Sequence, residues 1–106
     1  MNVEQITALL MRMQIIDQRP VDRAVVLEWE ADLVGVDDFA AAMEAITMHR
    51  SESAARLMPF HIRQGVERIH AAALPREDEW GNRLEPDRVA VAALERLGRV
   101  PREVTA

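Results

Sequence analysis

Leu57-Met58-Pro59-Phe60-His61-Ile62-Arg63-Gln64-Gly65-Val66-Glu67-Arg68-Ile69 reads as an extended run that stops at a proline and turns straight into a helix. Proline suits the first helical position, because its missing N–H has no intrahelical partner there and its φ is already helical. The same ring pushes the preceding residue out of the α region, so Met58 is expected to be extended. Ile62, Val66 and Ile69 follow at helical spacing, with Phe60 in the first turn. Gly65 costs roughly 1 kcal/mol relative to alanine inside a helix. Close approach of a second helix would explain it, since a glycine leaves no side chain in the way. The opposite side carries His61, Arg63, Arg68 and His70. No other helix of the chain is clearly basic, and this face reads either as a solvated surface or as a binding face.

Upstream, the spacing predicts a first helix over residues 3–16. Asn2 is a good N-cap, Gln5 completes a capping box, and Glu4 suits the positive end of the helix dipole. Val3, Ile6, Leu10 and Met13 make one apolar stripe, flanked by Leu9 and Ile16, while Ala8, Met11 and Ile15 make a second. A helix so apolar on both sides is either central to the fold or partly covered by another chain, and the central position is the expectation. Asp22 then caps a second helix to about Val34, with Val25 or Val26, Trp29 and Leu33 facing inward and Gly35 closing it. Asp37 or Asp38 starts a third to about His49, with Phe39, Met43 and Ile46 inward and a run of alanines that keeps it slim. Downstream, Leu74-Pro75 and the charge run Arg76–Glu79 read as a linker. A fifth helix is expected from Pro86, near its first position, to Leu97, with a frayed end beyond. The expectation is therefore all-α: a compact four-helix N-terminal bundle over residues 1–73, then residues 74–106 as linker, short helix and flexible tail.

The composition limits what such a chain does. At 106 residues it is the size of one domain, and cysteine is absent, so there is no disulfide framework, thiolate ligand or thiol nucleophile. No run approaches the roughly 18 apolar residues of a membrane span, and the start lacks the basic region of a signal peptide. A cytoplasmic protein is expected. The net charge of −5 is uneven. Residues 1–48 hold three arginines against nine acids, whereas residues 49–70 hold four against two. An acidic chain is a poor nonspecific binder of phosphate backbones, so only a weak, local nucleic-acid contact at the fourth helix is allowed.

Catalytic signatures are missing. There is no GxxxxGK[ST] phosphate loop and no HExxH, and His49, His61 and His70 lie on separate stretches. Ser51 and Ser53 near His49 lack the strand-turn-helix setting of a nucleophile elbow. The chain is therefore expected to be no enzyme and to need no cofactor or metal. A helix-turn-helix would place His61, Arg63 and Arg68 near phosphates, but the connection before the fourth helix is longer than the usual one.

The order of features is familiar as a whole. An apolar first helix is followed by Val25-Val26-Leu27-Glu28-Trp29, then by Asp38-Phe39-Ala40-Ala41-Ala42-Met43-Glu44-Ala45-Ile46, then by His49, a polar turn and Leu57-Met58-Pro59-Phe60-His61-Ile62-Arg63. This resembles the N-terminal helical domain of phage-encoded replicative helicase loaders, the loader/inhibitor family, over about residues 3–72. The resemblance implies a small all-α adaptor without ATPase activity that binds the hexameric replicative helicase in the host bacterial cytosol. In that family a flexible C-terminal part follows, important for the helicase contact. Residues 74–106 depart from that pattern by being short and containing a predicted helix. The candidate contact residues are Arg56, His61, Arg63, Arg68, Trp80 and Arg83. The alternatives are a small DNA-binding regulator using helix 59–72 and a host-directed protein inhibitor.

Overall fold

The structure is a computed structural model that describes residues 1–74 and 86–98. They form five helices, α1 (Val3–Asp17), α2 (Arg23–Asp32), α3 (Phe39–Glu52), α4 (Pro59–Ala72) and α5 (Arg88–Arg96), and no strand occurs among the described residues. The all-α expectation holds.

Local signals set most helix starts. The Gln5 amide donates to Asn2 Oδ1 at 2.8 Å, and the Asn2 amide donates to Gln5 Oε1 at 3.1 Å, closing the capping box of α1. Asp22 accepts from the Val25 amide and Asp38 from the Ala41 amide, which selects Asp38 over Asp37 as the cap of α3. Met58 is extended (φ −119°, ψ 163°) and Pro59 is the first residue of α4. At α5 the cap is Asp87, whose carboxylate accepts from the Ala90 amide at 3.1 Å. Pro86 therefore precedes the cap, and the helix starts later than the proline suggested. Two ends also differ. α2 stops at Asp32, leaving Val34 exposed, and α3 continues a further turn to Glu52.

Helix α2 packs on α1 and α4, and the centre is shared by α4, which touches α2, α3 and α5, and α3, which touches α1, α4 and α5. The alanines of α3 make this possible. Ala41, Ala42 and Ala45 are themselves buried, so the interhelical spacing is set by methyl groups; Phe39 and Met43, expected inward, are only half-buried. Gly65 of α4 faces Ala45 so closely that an added Cβ would lie 2.5 Å from the Ala45 Cβ and 3.1 Å from its Cα. This is the close helix approach expected from the sequence.

The central position expected for α1 is not observed. Ile6, Leu9, Leu10 and Met13 are buried on one side, but Met11 is 54% and Ile15 84% exposed on the other. A helix at the edge of an assembly can bury only one face, and the second stripe is left in solvent. Arg12 bonds the Met43 carbonyl and Thr47 Oγ1 and ties α1 to α3.

Helix α5 contributes Ala90, Ala93 and Leu94 to the same core as the first four helices. It docks on α3 and α4. The expected linker at residues 75–85 and the tail at 99–106 lie outside the described residues.

The break after α1 holds a feature the sequence did not announce. Arg19 is 4% exposed and forms a fork on Asp17, donates to the Leu57 carbonyl at 2.8 Å, and lies 5.4 Å from the Trp29 ring centroid. One guanidinium thus joins the ends of α1 and α2 to the segment that leads into α4, with its charge compensated by Asp17 and its Nε and Nη2 donors engaged.

Candidate functional site

The basic side chains of α4 are turned to internal use. Arg63 donates to the carbonyls of Asp32 (2.7 Å) and Val34 (3.0 Å), satisfying acceptors left open at the end of α2. Arg68 bridges two carboxylates, with Glu52 at 2.5 Å and Asp87 at 2.7 Å, so it links the end of α3 to the cap of α5. His70 contacts Asp38 at 2.9 Å. The single basic side expected from the sequence is not what forms: His61 and Arg68 stand on one flank of the buried stripe and Arg63 and His70 on the other, as the helical repeat places residues seven apart together, and their partners lie on other elements.

His61 is likewise engaged. Its Nδ1 accepts from the Met58 amide at 2.8 Å, so the imidazole occupies the place that Glu or Gln takes in a capping box. Its ring lies 4.1 Å from that of His49 and 4.0 Å from that of Phe60, which is 58% exposed. His49 in turn donates through Nε2 to the Ala55 carbonyl at 2.6 Å. Burial, and then the neighbouring His49, lower the basicity of His61.

Arg56 is the remaining sequence candidate within the described residues. With Arg50 it borders an open cleft of about 450 Å³ whose apolar wall includes Met13, Ile16, Ile46 and Leu57. Neither arginine has a hydrogen bond or ion pair among the described residues. Trp80 and Arg83 lie outside the described residues.

The surface that sequence reasoning had assigned elsewhere is the outer side of α1. Met11 and Ile15 stand at i and i+4, away from the buried stripe, and share one face of the helix. On α2, Leu27 is 44% exposed. Apolar residues singly exposed need no explanation, but an exposed stripe aligned along one helix is the form that helix-to-protein contacts take. No group of three or more metal-ligating side chains occurs among the described residues, and no helix of those residues is long and apolar enough to cross a membrane.

The two carboxylate–arginine links have a consequence for acid stability. Hydrogen bonds from Arg68 hold Asp87 below the usual carboxylate range, and hydrogen bonds from Arg19 do the same for Asp17. A carboxylate whose folded pKa lies below its unfolded value contributes stability that is present above the unfolded value and is lost as pH falls through the folded one. Denaturation midpoints measured in urea should therefore fall as the pH is lowered from about 5 toward 2. Arg68→Gln should remove the Asp87 share of that slope. An acid limb identical in wild type and variant would show that this ion pair is not what titrates.

Compared with protein-family models, curated proteins and solved structures, the chain matches none.

Proposed function

We propose that the protein is a non-catalytic adaptor that docks on another protein, the partner being the hexameric replicative helicase of a phage-infected bacterium, which it loads or inhibits. The observation that carries docking is the solvent-exposed apolar stripe Met11–Ile15 on the face of α1 opposite the core. The identity of the partner rests on the resemblance of residues 25–63 to the loader/inhibitor family. Arg50 and Arg56 beside the neighbouring cleft add a positive rim suited to an acidic partner segment. The reading as a DNA-binding regulator is weakened by geometry: Arg63 and Arg68 would have to leave two carbonyls and two carboxylates to reach phosphates.

Affinity capture from host lysate with the full chain tests this. The wild type should recover the replicative helicase, and Ile15→Glu should lose it while melting at nearly the wild-type temperature, because a residue so exposed adds little to the fold. Recovery of other proteins without the helicase would favour the host-directed inhibitor. Undiminished capture by Ile15→Glu would move the contact off α1. A salt-sensitive gel shift abolished by Arg63→Ala would instead restore the nucleic-acid reading.

A further inference from the structure

The connection between α3 and α4 is held by two imidazoles in complementary roles. His49, in the last turn of α3, is a donor: its Nε2–H binds the Ala55 carbonyl. His61, in the first turn of α4, is an acceptor: its Nδ1 takes the Met58 amide proton. The acceptor role requires Nδ1 to be unprotonated, so the proton of the neutral ring sits on Nε2. A second proton on His61 would point an N–H at the Met58 N–H and place a positive ring 4.1 Å from the ring of His49.

We infer that His49 and His61 form a proton-operated latch, closed when His61 is neutral and opened by its protonation, that orders the segment Ala55–Phe60. The titratable and charged groups around it do not offset the protonated state. From α3 these are His49 and Glu52, and from α4 itself Arg68, all of which line one small cleft with His61. The carboxylate of Glu52 is already bonded to Arg68. Arg50 and Arg56 border the adjoining cleft on the other side of His49. What the latch orders is not inert surface. Met58 and Phe60 are 45% and 58% exposed, so opening changes the presentation of two large apolar side chains at the start of α4. The sign follows from linkage. A base that is harder to protonate in the folded state contributes order above its unfolded value and loses it as pH falls.

The same protein supplies the control, because Gln5 performs the capping role of His61 at the start of α1 without being able to titrate. Amide exchange of the full chain, expressed as protection factors to remove the intrinsic effect of pH, should be followed at Met58 from pH near 7.5 to near 5. In the wild type, protection should fall with pH by up to about tenfold per unit once His61 titrates, the slope of a single proton. In His61→Gln, protection should stay level across that range. Equal pH dependence in wild type and His61→Gln, or no loss of protection in the wild type, would overturn the latch. Should His61→Gln fail to fold, the ring resonances of the wild type decide the matter. A His61 midpoint above the ordinary value for histidine overturns the latch, and one below it that coincides with the change at Met58 supports it.

Discussion

Trp29→Ala is expected to lower the stability of the fold by about 3–5 kcal/mol, the cost of removing a large aromatic side chain from a packed core. The residue is 8% exposed, lies in register with Val26 and Leu33, and forms a wall beside the buried Arg19. The loss therefore has two parts: a cavity beneath α2, and a guanidinium deprived of its aromatic neighbour. Against a total stability of roughly 5–15 kcal/mol, such a change places the variant close to unfolding. Circular dichroism is the suitable readout, since Trp80 complicates fluorescence. Trp29→Phe should retain much of the packing and lose less. An unchanged melting curve for Trp29→Ala would mean that the indole contributes nothing to the core.

Gly65→Ala is the second large effect, and its direction opposes helix propensity. In an isolated helix the change would stabilise by about 1 kcal/mol. Here the new methyl would sit 2.5 Å from the Ala45 Cβ, and the obstructing atoms belong to a methyl and a backbone with no rotamer to yield. The helices must separate. Overpacking of a tight core costs typically 1–3 kcal/mol; a contact this short belongs at the upper end, and set against the propensity gain of about 1 kcal/mol it leaves a net loss of about 1–2 kcal/mol. Ala45→Gly in the same chain should relieve the clash, making the double variant more stable than the sum of the two single changes. Additive losses would place the cause elsewhere than at this contact.

Both predictions show where the chain was readable. Trp29 stood in a stripe with Leu33 and either Val25 or Val26, of which Val26 is the buried one, and Gly65 interrupted an otherwise regular helix; each signal pointed to burial or close contact and each was met. Asn2, Asp22 and Pro59 announced their helices through contacts made within one turn. The errors fall elsewhere. The second stripe of α1 implied a central helix, because periodicity tells which residues share a face but not whether a neighbour arrives to cover it. Nothing in the periodicity marked Arg12 or Arg19, yet one bonds α3 and the other is almost wholly buried. Long side chains carry their charge far from their own backbone, so their burial depends on what folds next to them.

The candidate site divides in the same manner. That Arg63, Arg68 and His61 lie on an apolar-and-basic helix was legible; that they serve α2, α3, α5 and the α3–α4 connection was not. The partners of Arg63 and Arg68 stand 16 to 31 residues away in the chain. By itself the sequence determined the all-α class, most of the caps, the proline start of α4 and the need for close contact at Gly65, since these depend on neighbours within a helical turn. Only the tertiary structure decided that α3 and α4 share the centre, that α1 keeps a bare apolar face, and that the arginines of α4 are internal clamps. Those outcomes depend on which surfaces meet, and a one-dimensional pattern of polarity specifies faces without specifying their partners.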